Sequence, residues 1–329
     1  ARMSARPSGV GVYTRELLHG LAHVAAADNV ELWAVCAPGQ SVPDGVKRLE
    51  TDVAFDAHGA AEYFEHIDLP RRLQKEDVQV FHGPNTIIPV GKTRFARVVT
   101  VHDVAFERHG ETLPPAFRML MRVRTATSTA VADAVLTVSR FTADELRVLH
   151  PKHVDKIRAV VSGTPSASMA HVVDPHRARV MLNGLSLIPK QYVCAIGTLE
   201  PRKNLPTLLR AFRDAGIPEL KLALVGDKGW RDGPLKEQLA SMPESSVVLT
   251  GWLEDGPMRD LVANSAALLY PSIYEGFGFP PLEALALGVH VVSSALPPVL
   301  ESCARQVTMV PALEPHAWVE ALRALQKLP

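Results

Sequence analysis

Short apolar runs and segments with a helical repeat alternate along almost the whole chain, the pattern of an α/β protein with mostly parallel sheets. In the first half, Val30–Cys36, Val78–His82, Arg97–His102, Ala134–Val138 and Ile157–Val161 predict buried strands. Helical spacing there predicts helices over Thr14–His23, Pro115–Ala130 and Thr142–Leu149. In the second half the predicted strands are Tyr192–Gly197, Leu220–Gly226, Val247–Leu249, Ala267–Tyr270, Val289–Ser293 and Val307–Val310. The helices between them are Leu205–Asp214, Pro234–Ser241, Pro257–Ala263, Pro280–Leu287 and His316–Gln326. Several open on a proline, which suits a first helical turn because its missing N–H would find no partner there.

A weakly patterned stretch, Ser162–Asp174, rich in Ser, Gly, Pro and Thr, reads as a linker. It divides the 329 residues into domains of ordinary size, 1–165 and 166–329. Doubly wound sheets open on a strand, a glycine turn and a helix. Pro7-Ser8-Gly9-Val10-Gly11 and a helix from Val12 supply the last two, but Ala1–Arg6 is too polar for a buried strand. The expectation is that the natural chain supplies that first strand from residues upstream.

Composition narrows the function. Lys plus Arg equals Asp plus Glu at 35 each, so the basic excess of a nucleic-acid binder is missing. Cys36, Cys194 and Cys303 stand singly, which predicts neither a disulfide framework nor a zinc site. No run of 18 apolar residues and no leader-like segment occurs, so the expected location is cytoplasmic. Arg118, Arg122 and Arg124 fall on one predicted helix; they could meet a phosphate-bearing acceptor or a membrane surface, though a solvated face is the plainer reading.

Four segments carry candidate chemistry. In Glu275-Gly276-Phe277-Gly278-Phe279-Pro280-Pro281-Leu282-Glu283, two carboxylates flank a glycine turn after a strand. This is the carboxyl end of a parallel strand, where open α/β sheets bind ligands. Carboxylates accept from vicinal sugar hydroxyls, and N–H groups around Phe277 and Gly278 favour oxygen-rich partners. In Gly197-Thr198-Leu199-Glu200-Pro201-Arg202-Lys203-Asn204, Arg202 and Lys203 leave another strand together, a pair suited to a diphosphate. Asn204 reads as a helix N-cap. Gly9 and Gly11 form an opening turn, and His102-Asp103 closes a strand. Each alone has a plain structural reading; the combination favours a site.

Assembled, these residues resemble the family 4 (group 1) retaining GT-B glycosyltransferases. The resemblance runs from SGVGVYTREL through VTVHD and SRFTADEL to GTLEPRKN, LVGDKGW and YEGFGFPPLEALALG. It implies two Rossmann-like domains facing across a cleft, an N-terminal one for the acceptor and a C-terminal one for the sugar nucleotide. A final helix returning to the N-terminal domain is part of that pattern. Arg202 and Lys203 would hold the donor diphosphate, Glu283 the ribose, and Glu275 the donor sugar with Phe277 and Gly278. His102 would stand by the anomeric centre, while Gly9 and Gly11 would give backbone contacts. The proton of the acceptor would pass to the leaving phosphate, without a carboxylate nucleophile. Mannosyltransferase-like members are most similar, so GDP-mannose is the first expected donor and a UDP-sugar the second. A glycan or lipid-linked acceptor, a peripheral membrane contact, and no cofactor, metal or nucleic acid complete the expectation. One departure is Ser294-Ala295-Leu296-Pro297-Pro298, where relatives carry an acid after the proline.

The competing readings are a sugar-nucleotide epimerase, a non-catalytic nucleotide-sugar-binding subunit, and a nicotinamide dehydrogenase. The first lacks a convincing carboxylate pair in the N-terminal half. The second sits poorly with the full set of site residues, and the third with the incomplete glycine motif.

Overall fold

The computed structural model describes residues 9–25, 27–53 and 60–326. The chain forms two compact units, Ala1–Val104 with Met119–Val161, and Ala105–Arg118 with Ser162–Pro329. Residues 1–8, on which the missing-strand expectation falls, lie outside the description.

The first unit begins with α1 (Gly9–Ala25), β1 (Trp33–Cys36) and β2 (Lys47–Glu50). Next come α2 (Ala60–Tyr63), a π-helical turn (Phe64–Asp68), α3 (Leu69–Lys75), β3 (Val80–Gly83) and β4 (Ala96–Val101). After α4 (Ala105–Arg108) and the first turn of α5 (Pro115–Val131), which belong to the second unit, the first unit resumes with the rest of α5, β5 (Ala134–Thr137), α6 (Arg140–Leu149) and β6 (Ile157–Ala159). β3–β4–β5–β6 form a parallel sheet and β1–β2 a separate parallel pair. Ser139 caps α6, its Oγ accepting from the Thr142 N–H at 3.0 Å. The strand β2 was not expected, because its sequence KRLE has only Leu49 as an apolar residue and its side chains stay largely exposed. Gly9 and Gly11 also differ from expectation: they belong to the first turn of α1 and do not form a loop before it. First-turn N–H groups have no intrahelical partner in any case.

The second unit takes in α4 and residues up to 118, whose carbonyls at Thr112 and Glu111 accept from Trp230 Nε1–H (2.7 Å) and the Arg231 guanidinium. It continues through α7 (Ser166–Met169), α8 (Pro175–Gly184), β7 (Tyr192–Ile196), α9 (Leu205–Ala215), β8 (Lys221–Val225), α10 (Gly233–Ala240) and β9 (Val247–Gly251). Then follow α11 (Asp255–Asn264), β10 (Ala267–Tyr270), α12 (Phe279–Ala286), β11 (His290–Ser294), α13 (Pro297–Cys303), β12 (Thr308–Val310) and α14 (Pro315–Leu325). The sheet order is β9-β8-β7-β10-β11-β12, all parallel. Numbered within the unit this is 3-2-1-4-5-6, the doubly wound order whose direction reverses between β7 and β10.

Both faces of that sheet are covered. Val193, Ala195, Leu222, Leu224 and Leu269 pack against Leu205, Leu208, Leu209 and Phe212 of α9 and Trp318 and Leu322 of α14. Tyr192, Cys194, Ala223, Val225, Leu268 and Tyr270 face Leu182, Leu261, Ala284 and Val299 on the other side. Strands buried on both faces read as unbroken apolar runs, which is why the central ones were legible. The helices α2, α3, α4, α7, α8 and α13 were not among those expected; most are short, α8 buries only Ala178 and Leu182, and α13 opens on Pro297-Pro298, which sit in its first turn. α14 packs within its own unit: its buried Trp318 and Leu322 serve the core there, and Trp318 Nε1–H donates to the Pro311 carbonyl at 3.1 Å.

The carboxyl edge of β7 and β8 is drawn tight. Gly226 has φ +145, and a Cβ there would lie 2.2 Å from the Gly197 carbonyl oxygen. Gly226→Ala therefore forces the 197–204 loop away and should cost about 2 to 4 kcal/mol of stability. Urea denaturation checks this; an unchanged midpoint would show that the close approach is not needed.

Candidate functional site

Two loops leave the sheet of the second unit at its switch point, residues 197–204 after β7 and 271–278 after β10. The first passes through a single 3-10 turn, Pro201–Lys203, and Asn204 at φ +52 before entering α9. Asn204 stands at the N-cap position but does not cap: its Nδ2–H donates to the Ala312 carbonyl at 2.7 Å, tying the loop to the segment before α14. The second loop ends at Gly278, φ +99, where a Cβ would press within 3.0 Å of Val299 Cγ2.

Glu275 lies where the two loops meet. Its Oε2 accepts from Arg202 Nη1 at 2.6 Å and its Oε1 from Lys203 Nζ at 2.7 Å. Arg202 Nη1 also donates to the Tyr274 carbonyl (2.9 Å), while its Nε and Nη2 donate to Glu200 Oε1 at 3.1 and 2.7 Å. Lys203 Nζ stands 5.1 Å from the centre of the Tyr270 ring and 3.5 Å from its hydroxyl. Glu200 and Glu275 are both buried, at 8% and 7% exposure, where a carboxylate needs close polar partners. For Glu275 burial opposes ionisation, but the Arg202 and Lys203 charges and the lysine hydrogen bond outweigh it and hold the carboxyl at about 2. Burial, with the Glu275 charge beside it, pushes the Tyr270 phenol well above its ordinary value.

The structure brings together Arg202, Lys203 and Glu275, three of the residues singled out in the sequence, and adds Glu200 and Tyr270, to which the sequence reading gave no role. A carboxylate two residues before Arg202 is a weak signal in sequence, because a loop has no fixed period to say which way it points. Phe277 is buried and makes an edge-on ring contact with Phe279 (4.9 Å). Glu283 is half-buried in the second turn of α12. The start of α12 is a poorer donor than expected. Pro280 and Pro281 occupy its second and third positions, so only Phe279 and Leu282 of the first four carry an N–H.

The first unit holds its own candidate. His102 follows β4, and its Nε2 lies 2.7 Å from the Pro84 carbonyl. A carbonyl only accepts, so Nε2 carries the proton. Burial lowers the imidazole pKa despite the Pro84 carbonyl and Asp103, leaving the ring neutral with Nδ1 as an acceptor. Tyr13 of α1 meets the ring edge-on at 4.8 Å, and its hydroxyl is 3.3 Å from Thr100 Oγ1, which is 2.8 Å from His82 Nε2. The His102 carbonyl accepts from Thr142 Oγ1 at 3.3 Å. In the first turn of α1, Gly9 is exposed and Gly11 buried. On α5, Arg118 Nε donates to the Phe106 carbonyl at 3.0 Å and Arg124 is paired with Glu62.

The second unit thus has a doubly wound strand order with an ion-pair cluster at the point where that order reverses, the place at which open α/β sheets bind their ligands. Comparison with known proteins gives the family. The profile described as Glycosyltransferase Family 4 matches residues 7–165, and that of Glycosyl transferases group 1 matches residues 187–329. The chain is 30% identical to O-antigen chain mannosyltransferase B of Escherichia coli over 87% of its own length and 78% of that protein. It is 24% identical to O-antigen chain mannosyltransferase RfbU of Salmonella typhimurium over 56% and 54% of the two chains. Among solved structures it resembles HepE of Anabaena, in complex with UDP and glucose, at TM-score 0.70 and 15% identity, covering 98% of this chain and 88% of that one. WaaG, a glycosyltransferase involved in lipopolysaccharide biosynthesis, matches at TM-score 0.70 and 17% identity with the same coverage. The chain belongs to the family 4, group 1 glycosyltransferases and has the GT-B fold.

Because the Glu275 pKa is depressed from 4.5 to about 2, its stabilising contribution is complete above pH 4.5 and is lost as pH falls toward 2. At pH 7, Glu275→Gln should be less stable than the parent by about 3 kcal/mol, since two cations lose their partner. Urea unfolding across a pH series should show that difference shrinking between pH 4.5 and 2. A difference flat across the window would mean the cations do not hold this carboxylate.

Proposed function

We propose that this glycosyltransferase moves a hexose, mannose in the first instance, from GDP-mannose to a hydroxyl of a glycan or lipid-linked acceptor, with retention and without a metal ion. The observation that carries the reading is the Glu275–Lys203–Arg202 cluster at the carboxyl ends of β7 and β10, with Glu283 further along the same segment. Nucleotide ligands of doubly wound sheets bind at this switch point. The names of the two mannosyltransferase relatives support the sugar, whereas HepE, solved with UDP and glucose, keeps a UDP-sugar as the second reading.

In this reading Lys203 is the cation offered to the diphosphate. An ammonium has three N–H donors, and those of Lys203 reach Glu275 and Tyr270, leaving capacity for a phosphate oxygen. Arg202 contributes its field at the same point. Glu275, with both oxygens anchored, is assigned to the hydroxyls of the donor sugar. Glu283 is assigned to the ribose, and the backbone around Phe277, Gly278, Gly9 and Gly11 to the remaining oxygens. A carboxylate with a pKa near 2 and two cations on it is a weak nucleophile, which favours same-face attack within a short-lived ion pair. His102, neutral and proton-bearing at Nε2, is assigned a hydrogen-bonding role at the sugar and not proton transfer. A cytoplasmic enzyme peripheral to the membrane fits the proposed acceptors; among the described residues no helix is long and apolar enough to cross a bilayer.

A thermal-shift comparison of GDP-mannose, UDP-glucose and NAD tests the donor. GDP-mannose should stabilise the protein by several degrees, with the shift lost in Lys203→Ala and Glu283→Ala. Stabilisation by NAD alone, or by no nucleotide, would dismiss the reading. Release of GDP from GDP-mannose should persist in EDTA and fall about 10²-fold in His102→Ala with GDP affinity kept; abolition by EDTA would refute metal independence.

A further inference from the structure

The proposed donor reading employs Glu275, Glu283 and Lys203 and leaves Glu200 without a task. Yet Glu200 is a buried carboxylate, and a buried charge is retained only against a partner. Its partner is Arg202: one oxygen, Oε1, takes both the Nε–H and an Nη2–H. The guanidinium is planar with its N–H groups in a rigid fork, so fixing the Nε/Nη2 edge fixes where Nη1 points. Nη1 then points at Glu275 Oε2 and the Tyr274 carbonyl. The Arg202 carbonyl accepts from the Ile273 N–H at 2.9 Å, so this one residue fastens the loop after β7 to the loop after β10 at three points.

We infer that Glu200 is a positioning residue, which acts through Arg202 to fix the orientation of the Glu275 carboxylate. The inference rests on the donor reading for its catalytic consequence but not for its geometry. It also assigns Arg202 chiefly to the two carboxylates and leaves the diphosphate mainly to Lys203. Charge gives the role a signature. Glu200 and Glu275 together cancel Arg202 and Lys203, so deleting Glu200 leaves one excess positive charge beside the place proposed for the diphosphate. Anion affinity and catalytic geometry should therefore move in opposite directions, whereas loss of mere structural support would lower both.

Glu200→Ala and Glu200→Gln test this with GDP and GDP-mannose as probes. In Glu200→Ala, calorimetry should show GDP bound as tightly as by the parent or more so, while the kcat for GDP release from GDP-mannose falls about 10²-fold. Glu200→Gln keeps an acceptor for the guanidinium and should recover a large part of that loss. In nucleotide-free crystal structures, Nη1 of Arg202 should have left Glu275 in the alanine variant and stayed in the glutamine variant. An alanine variant with Arg202 still on Glu275, or one whose GDP affinity and kcat fall together, overturns the inference. If the parent releases no nucleotide from GDP-mannose or UDP-glucose, the donor reading fails, and the crystallographic comparison alone then decides the role of Glu200.

Discussion

The second unit is organised around one electrostatic constraint: a carboxylate buried between two cations must stay paired with both. Glu275 is ionised in its buried setting because Arg202 and Lys203 stand against its two oxygens. The partners come from different loops on the two strands that flank the switch point of the sheet. The interaction therefore does for the loops what hydrogen bonding does for the strands beneath them. It sets their separation, and with it the shape of the rim on which a ligand would rest.

That rim is close-packed in the backbone as well. Gly226 admits the Gly197 carbonyl, and Gly229 admits that of Leu199, each at a distance no Cβ would allow. Leu199 is in parallel bridge contact with Lys228, and the Leu199 N–H donates to the Asp227 carbonyl at 2.9 Å. The loop after β7 is thus pressed against the β8 side by glycines and pulled toward the β10 side by Arg202. A loop held from both sides can keep buried charges at hydrogen-bond distance, because close packing lets little of a perturbation relax. The stiffness also explains why Asn204 spends its amide on Ala312: the left-handed residue that turns the chain into α9 is fastened from behind.

The sequence disclosed what periodicity encodes and hid what it does not. β7, β8 and β10 are buried on both faces and stand out as apolar runs, and α9 shows its buried residues at positions 205, 208, 209 and 212. β2 and α8, at the margin, have no such contrast. At the site, Arg202, Lys203 and Glu275 were legible because they flank glycines and prolines at strand ends. Their mutual pairing was not, since positions 202 and 275 are brought together only by the fold. The two prolines at the start of α12 could be read in the sequence, but their cost in N–H donors appears only once the helix boundary is known. Asn204 misled for a related reason: residue type and position both say cap, and the contact to Ala312 depends on a segment more than a hundred residues away.

The displaced pKa values constrain the chemistry that the proposed transfer could use. Glu275 is held near 2, Tyr270 is pushed well above its ordinary value, and His102 is lowered while its Nε2 proton is bound to a carbonyl. All three are displaced away from neutrality, the opposite of the tuning expected for a general base poised near pH 7. A hydroxyl acceptor must still lose its proton as the glycosidic bond forms. On the proposed reading, the strongest acceptor brought into the site is the departing diphosphate itself, which gains basicity as its bond to the sugar breaks. On that reading the paired ions of the second unit would orient the sugar and balance the charge of the leaving group without competing for the proton that the leaving group must take.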